Sequence, residues 1–245
     1  MDASQPPAAK RREERSTDQP SPSVEFDGAD DPVGDRSMSV ADIESTYERY
    51  ADRLQRFEVA DRLVTGRYRR RQFADATGEV LDVACGTGTN FRYLPADADL
   101  VGIDVSPDML ANAEETLADL GRDGRLHRMD AQELAFPDDS FDTVISALST
   151  CTFPDPVAAL REMERVCRPD GEIRLLEHGK SDVGLLARYQ EWRADAHYEK
   201  MGCRWTQEPL AVAAEAGLNV EESSTGLFGI VTAIRATPRP AGETR

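Results

Sequence analysis

Long apolar runs, lysines and cysteines are all scarce in this chain of 245 residues. No stretch approaches the roughly 20 consecutive apolar residues that a membrane-spanning helix needs, so we predict no transmembrane segment. The first residues, MDASQPPAAKRREERSTDQPSPS, include basic side chains but no apolar segment after them. This pattern does not fit a secretory signal, and we therefore expect a cytoplasmic protein.

The four cysteines, Cys85, Cys151, Cys167 and Cys203, form no CxxC pair and have no histidine close by in the sequence. Disulfide frameworks and structural zinc sites are normally recognised by such spacings. The sequence therefore predicts reduced thiols and no metal site.

Lysine occurs only three times, at Lys10, Lys180 and Lys200, and the chain has 46 acidic against 29 basic residues, a net charge of −17. Such a charge repels nucleic acid, so we expect no nucleic-acid partner. An acidic, lysine-poor surface is also typical of proteins that fold in concentrated salt, where repulsion is screened within about 3 Å. In that case the acidity says little about the partners.

Composition divides the chain into three parts. Residues 1–38 are rich in Pro, Ser, Asp, Glu and Arg and have few apolar side chains, which predicts a disordered tail. Residues 39–238 alternate apolar and polar segments and are of the size of one domain. Residues 239–245 are expected to form a second disordered tail.

Periodicity predicts an α/β fold. Val40, Ile43, Tyr47, Tyr50 and Leu54 recur at helical spacing after Ser39, a candidate N-cap, and a second amphipathic stretch follows, so two helices are expected over 39–65. Strands and helices then alternate, which indicates parallel pairing in a doubly wound sheet. The predicted strands are 80–83, 100–103, 126–129, 143–147 and 172–176, and the predicted helices are 88–94, 107–120, 156–167, 185–199 and 207–215. Segments 220–223 and 227–236, joined through Thr225-Gly226, predict an antiparallel hairpin at the sheet edge.

The run Val80-Leu-Asp-Val-Ala-Cys-Gly-Thr-Gly-Thr-Asn90 carries the most chemical information. A strand leads directly into Gly86-Thr-Gly88, where the missing side chains permit a sharp turn and close approach of a ligand to backbone amides. A GxG turn alone is weak evidence, and an ordinary glycine turn is the alternative.

Three further residues restrict the ligand. Phe91 occupies the place where a dinucleotide fingerprint requires a small residue, so a pyrophosphate is not expected. Asp82, near the end of the first strand, would repel phosphate and attract a cation. Asp104 ends the second strand, where a carboxylate can accept hydrogen bonds from ribose hydroxyls. S-adenosylmethionine, which combines a ribose with a sulfonium and an ammonium group, satisfies both carboxylates.

The segments VLDVACGTG, GIDVSPDML, MDAQELAFPDDSFDTVIS and ALREMERVCRPDGEIRLLEHG resemble the class I S-adenosylmethionine-dependent methyltransferases, in particular the methyltransferase type 11 branch. The resemblance spans residues 79–180. It implies a Rossmann-like, seven-stranded, mostly parallel sheet of order 3-2-1-4-5-7-6 with strand 7 antiparallel, and S-adenosylmethionine as co-substrate. One departure is Ala84, which stands where the family has the first glycine of its loop.

The resemblance also implies a role for individual residues. It puts Asp82, Ala84, Gly86 and Gly88 around the methionine portion of the cofactor and Asp104 on its ribose. Further expected cofactor contacts are Ser106 and Met109 beside the ribose and adenine, Asp130 and Ala131 at the adenine, and Leu148 near the methionine end. For Asp130 the alternative is an N-cap of the segment AQEL.

His178, after the fifth strand, is the candidate to meet the methyl acceptor as a base or an orienting group, with packing as the alternative. The combination of GTGTNFRYLP, LEHG and the later Gly202-Cys203 resembles phospholipid N-methyltransferases and membrane-associated alkyl-thiol methyltransferases. This implies methyl transfer to N, S or O of a small or lipid-like acceptor. Membrane attachment is not carried over, and peripheral membrane contact is left open. We expect the lid of the pocket to come from helices 39–65 and the segment 180–210, and residues 181–238 to hold the lid helices and the edge hairpin. An NAD-dependent oxidoreductase and a non-catalytic cofactor-binding scaffold remain as alternatives, and the oligomeric state is not indicated.

Overall fold

The computed structural model describes residues 38–239, without the side chains of residues 51–60. The predicted tails therefore lie outside the described residues except at their inner ends, and so do the side chains of Leu54 and Phe57. Seven strands form one sheet of order β3-β2-β1-β4-β5-β7-β6. The strands are β1 (Glu79–Val83), β2 (Asp99–Asp104), β3 (Arg125–Arg128), β4 (Phe141–Ala147), β5 (Cys167–His178), β6 (Asn219–Gly226) and β7 (Val231–Thr237).

The pairing of the strands confirms the predicted topology. Strands β1 to β5 pair in parallel, and β7 pairs antiparallel with both β5 and β6. The parallel strands direct their carboxyl ends to one edge, where open α/β sheets hold their ligands.

Five α-helices accompany the sheet in the described part of the chain: α1 (Val40–Phe73), α2 (Pro107–Leu120), α3 (Pro156–Val166), α4 (Gly184–Met201) and α5 (Pro209–Ala216). Phe73 of α1 and Leu117 of α2 pack in the apolar cluster on one face of the sheet. Met163 of α3 and Val212 of α5 pack in the cluster on the other face. The sheet is thus covered by helices on both sides, as a doubly wound fold requires.

The prediction of two helices over 39–65 is wrong, because α1 is continuous from Val40 to Phe73. No proline or glycine interrupts residues 40–65, so nothing in the backbone ends the first helix. Ser39 is the N-cap as predicted, in a capping box with Asp42.

Two other predicted segments also differ. The helix predicted for 88–94 is only a 3₁₀ turn at Phe91–Tyr93, since Gly88 has a left-handed backbone (φ +78°) that an α-helix cannot contain. The hairpin turn lies at 227–230 and not at Thr225-Gly226, because Leu227, Phe228 and Gly229 all have positive φ and make the reversal. No helix among residues 38–239 is both long and apolar enough to cross a membrane.

Candidate functional site

A cavity of about 310 Å³ opens at the carboxyl edge of the sheet, between the ends of β1, β2, β3 and β4 and the first turns of α1. Ligand pockets of small molecules begin at about this volume. Seven of the predicted cofactor residues line it: Ala84, Gly86, Asp104, Met109, Asp130, Ala131 and Leu148. Four predicted site residues are not part of the lining: Asp82, Gly88, Ser106 and His178.

The turn after β1 is held open by left-handed backbone. Ala84, Gly86 and Gly88 have φ values of +55°, +56° and +78°. A Cβ on Gly86 would meet no atom within 4 Å, because this residue faces the cavity, whereas a Cβ on Gly88 would lie 2.5 Å from the ring of Phe91. Gly86 therefore leaves room for a ligand, and Gly88 leaves room for the buried Phe91.

Asp104 joins the glycine turn to the end of β2. Its Oδ2 accepts a hydrogen bond from the Gly86 amide at 2.9 Å, and its Oδ1 accepts one from the Ser106 amide at 2.9 Å. Burial raises the pKa of this carboxyl although the two amides favour the charged form. A backbone hydrogen bond from Val105 also favours the charged form. A carboxylate has about four acceptor positions, so Asp104 keeps at least one for a ligand in the cavity.

Asp82 lies behind the cavity wall and is fully buried. Both of its carboxylate oxygens accept from Asn90 Nδ2, at 3.0 and 3.1 Å. Asn90 lines the cavity and accepts in turn from Arg69 Nη1. Burial raises the pKa of Asp82 to about 7. The expectation that Asp82 faces the cavity directly is not met. Asp82 instead orients Asn90, which lines the cavity.

Arg69 is an addition to the predicted site. It is only 5% exposed, lines the cavity and contacts Asp61 Oδ2 at 3.4 Å. It lies in the run RYRRRQF of α1, which contains four arginines, three of them consecutive, and no local signal tells which one is buried. Tyr47 and Ile43 of α1 also line the cavity, so α1 forms part of the predicted lid. Residues 180–210 are absent from the described lining.

Ser106 and Asp130 serve local structure. Ser106 is fully buried, and its Oγ accepts from the Met109 amide as the N-cap of α2. Asp130 Oδ1 accepts from the Gln132 amide at 2.9 Å, which is the capping alternative considered above, yet Asp130 also lines the cavity. The two readings of Asp130 are therefore compatible.

The segment after β4 forms the remaining wall. Leu148 has a left-handed backbone (φ +56°), and the amides of Ser149 and Thr150 donate to Oε2 of the buried Glu177 at 3.1 and 3.3 Å. Burial raises the pKa of Glu177 to about 7, and its Oε1 has no hydrogen-bond partner among the described residues. This carboxyl fixes the turn that carries Leu148 and Ser149 into the cavity.

His178 lies between two thiols and not in the cavity. Its Nε2 is 3.2 Å from Cys151 Sγ and 3.3 Å from Cys203 Sγ. Spacing along the chain gave no indication of this cluster, because its members are separated by 25 to 52 positions. The role of His178 toward an acceptor stays a prediction.

Comparisons with known proteins agree with this architecture. Residues 81–175 match the family model described as a methyltransferase domain. A phosphatidylethanolamine N-methyltransferase of Cereibacter sphaeroides is 34% identical over 201 residues, which cover 78% of this chain and 96% of that protein. A ubiquinone/menaquinone biosynthesis C-methyltransferase of Cellvibrio japonicus is 29% identical over 171 residues, 64% of this chain and 66% of that protein.

Among solved structures, a chain in the complex of the Haloferax volcanii Trm112 methyltransferase activator with a methyltransferase superposes with a TM-score of 0.62. The two chains are 18% identical, and the match covers 82% of this chain and 100% of the other. This likeness shows the fold. Together with the near full-length relative and the strand order, it establishes that the chain belongs to the class I S-adenosylmethionine-dependent methyltransferases.

Proposed function

We propose that this enzyme binds S-adenosylmethionine in the cavity at the carboxyl edge of the sheet and methylates the amine of an aminophospholipid. The observation that carries the cofactor assignment is Asp104, which faces the cavity while its backbone amide contacts leave acceptor capacity for a ligand. Asp130 also lines the cavity, and Arg69 in the lining is paired with Asp61. The carboxyl groups of Asp104 and Asp130 therefore give the cavity the negative character that a sulfonium and an ammonium group require.

The residues fit the parts of such a ligand in order along the sheet edge. Asp104 would accept from the ribose hydroxyls, with Met109 beside them, and Asp130 with Ala131 would meet the adenine. Ala84, Gly86 and Leu148 would surround the methionine portion, and Asp82 would act on it through Asn90 as a positioning residue. Gly86 supports this arrangement, because its missing side chain faces open cavity space.

The cofactor, when bound, supplies a methyl group already activated by the sulfonium. The acceptor amine would receive this methyl group through its nitrogen lone pair as the carbon–sulfur bond breaks, leaving a neutral thioether, and the new ammonium group would lose its proton to water. The task of the protein is to align the two reactants and exclude solvent, an effect on the order of 7–11 kcal/mol. No proton transfer by His178 is needed when the amine arrives neutral.

A lipid acceptor is favoured by two observations. The relative named for phosphatidylethanolamine matches this chain over 96% of the relative's own length. In addition, Leu185, Tyr189 and Trp192 of α4 are 82%, 52% and 74% exposed. Their spacing of four and three residues puts them on one helix face, and exposed apolar clusters of this kind mark surfaces that contact lipid or protein.

The test is methyl transfer from labelled S-adenosylmethionine to phosphatidylethanolamine in zwitterionic vesicles at high salt. We expect monomethylated lipid, confirmed by mass spectrometry. Methylation of quinones, thiols or soluble amines without any lipid product would refute the aminophospholipid assignment and keep the cofactor assignment. Cofactor binding without product on any acceptor would favour a non-catalytic scaffold.

A matched pair of variants tests the apolar face of α4. Leu185→Ser should lower activity on vesicles several-fold and leave activity on a water-soluble, short-chain phosphatidylethanolamine unchanged. Leu63→Ser is the control, since Leu63 is 84% exposed but lies on α1. Equal loss in both variants, or equal loss on both substrates, would show that α4 does not contact the lipid.

A further inference from the structure

Two cysteines and a histidine converge behind the cavity wall. Cys151 lies in the 3₁₀ turn after β4, His178 ends β5, and Cys203 follows α4. The two sulfurs are 3.4 Å apart, and each lies 3.2 to 3.3 Å from His178 Nε2. The cysteines are 1% and 7% exposed. All three ligand atoms thus face one point that is shielded from water.

The orientation of His178 suits metal binding. The ring also forms a hydrogen bond with the backbone of Trp205. Since Nε2 faces the two sulfurs, this second hydrogen bond belongs to Nδ1. A histidine that donates Nδ1–H to a carbonyl keeps its lone pair on Nε2, and metal-binding histidines are oriented in this way.

Distances discriminate between a metal and a disulfide. Tetrahedral zinc with Zn–S of about 2.3 Å and Zn–N of about 2.0–2.1 Å separates two sulfurs by about 3.8 Å and sulfur from nitrogen by about 3.5 Å. The observed separations need to open by only a few tenths of an ångström. A disulfide of about 2.05 Å would require the sulfurs, at 3.4 Å, to approach by more than 1 Å.

The other two cysteines show what simple packing looks like in this protein. Cys85 and Cys167 are buried and free, and neither belongs to a group of metal-ligand side chains among the described residues. They pack in the apolar clusters on the two faces of the sheet. In the described part of the chain, Cys151, His178 and Cys203 are the group whose potential metal-ligand atoms all lie within 4.8 Å of one another.

We propose that Cys151, His178 and Cys203 bind one zinc ion, which fastens the segment after α4 to the carboxyl edge of the sheet. Three protein ligands leave one position of a tetrahedral ion for water or a thiol. The site adjoins the cavity, because Ser149, Thr152 and Phe153, next to Cys151 in the chain, line it. Zinc on Nε2 would exclude His178 as a base for the acceptor.

The test uses the full chain in concentrated salt, which limits nonspecific binding of cations to the acidic surface. After removal of metal with a chelator, the protein is titrated with Co²⁺, whose thiolate charge-transfer absorption reports cysteine ligands directly. We expect about one Co²⁺ per chain with this absorption, its displacement by Zn²⁺, and a rise in Tm when Zn²⁺ is added.

Variants assign the ligands. Cys203→Ser and His178→Ala should each lower zinc affinity at least tenfold and remove the Tm response, and Cys167→Ser should retain both as the matched control. The Co²⁺ spectrum of the unmodified chain decides the question even if a variant does not fold. The proposal is overturned by binding without charge-transfer absorption, which means an adventitious ion only. It is equally overturned by full zinc binding in Cys203→Ser, or by a Cys151–Cys203 disulfide in the freshly isolated protein.

Discussion

The two halves of the carboxyl edge are built in different ways. On the side of β1 and β2, the contacts join residues that are close in sequence: Asp82 and Asn90 are eight positions apart, and Gly86 and Asp104 are eighteen. On the side of β4 and β5, Cys151 and Cys203 meet across 52 positions. The first half is one strand–turn–strand unit whose motif is visible in the sequence. The second half exists only once the whole sheet and α4 have assembled.

The largest expected effect is that of replacing Asp104, and this variant also tests whether the two halves of the carboxyl edge are independent. Asp104→Asn removes the negative charge. It also puts the side-chain NH₂ group against the backbone amide of Gly86 or Ser106, which now donates a hydrogen bond to Asp104. Two charge-assisted hydrogen bonds to a ribose are each worth about 1.5–3 kcal/mol. Calorimetry should therefore show S-adenosylmethionine affinity reduced by about 100-fold or more.

Asp99→Asn is the control, because it lies on the same strand at its opposite, exposed end. Its cofactor affinity should equal that of the unmodified enzyme. Asp104→Asn should also keep its full zinc content. If Asp104→Asn binds the cofactor normally, the ligand lies elsewhere; if it loses zinc as well, the two halves are one unit and the comparison fails.

The second prediction separates two glycines of the same turn. Gly88→Ala would press a Cβ to 2.5 Å from the buried Phe91 ring at a backbone of φ +78°, so its free energy of unfolding should fall by about 2–4 kcal/mol. Gly86→Ala meets no atom within 4 Å and should lose only about 1 kcal/mol. Its methyl group enters the cavity, however, and should reduce cofactor affinity.

Chemical denaturation and calorimetry on both variants check this pair. Gly88→Ala is expected to lose more of its free energy of unfolding. Gly86→Ala is expected to lose cofactor affinity although its free energy of unfolding changes little. The reverse order would mean that the turn faces the ligand with Gly88, contrary to the lining of the cavity.

The third prediction concerns the pH dependence that burial of Asp82 imposes. Its pKa of about 7 in the folded protein lies above the unfolded value of 3.8. At pH values between these two, the Asp82 carboxyl is protonated in the folded protein and ionised in the unfolded chain. The resulting stability is present at low pH and is lost as pH rises through about 7. Between pH 5 and 8 we expect Asp82 to contribute a decline in the free energy of unfolding of about 2.5 kcal/mol.

Asp82→Asn should flatten this part of the curve, and denaturation at several pH values in constant high salt measures it. The difference between the two curves isolates Asp82 from Glu177 and from the acidic surface, which titrate in both proteins. Asp142→Asn is a useful comparison, since Arg168 holds the pKa of that carboxyl below its usual range. Parallel curves for the unmodified and Asp82→Asn proteins would show that Asp82 stays charged.

What the sequence predicts correctly follows the same division. Alternation of strands and helices predicts the doubly wound sheet, and the resemblance to the family predicts its strand order. Motifs next to strand ends indicate Gly86, Asp104 and Asp130, and these three residues line the cavity. Arg69 and the thiol cluster do not. Their positions depend on how α1 and the segment after α4 pack on the sheet, and spacing along the chain carries no information about that packing.

Asp82 shows the limit of the motif itself. Its place in the sequence indicates a carboxylate at the end of a strand, but whether it reaches the ligand depends on Asn90, which comes eight residues later and occupies both oxygens. The motif therefore predicts which residues gather at this edge of the sheet and not which of them line the cavity.

The smallest expected effect is at Ala84, where the chain departs from the glycine of the family. Ala84 has φ +55°, a left-handed conformation that costs a residue with a Cβ about 1–2 kcal/mol. Glycine removes this strain but loses about 0.5–1 kcal/mol through the freedom of the unfolded chain. Ala84→Gly should therefore raise the free energy of unfolding by at most about 1.5 kcal/mol.

Ala113→Gly provides the control, because it is the same substitution made inside α2, where glycine is destabilising by about 1 kcal/mol. Changes of opposite sign in the free energy of unfolding of the two variants, measured by denaturant unfolding, would confirm that the turn after β1 is strained at Ala84. Destabilisation in both would mean that the methyl group of Ala84 contributes more through its packing against the apolar core than its backbone strain costs.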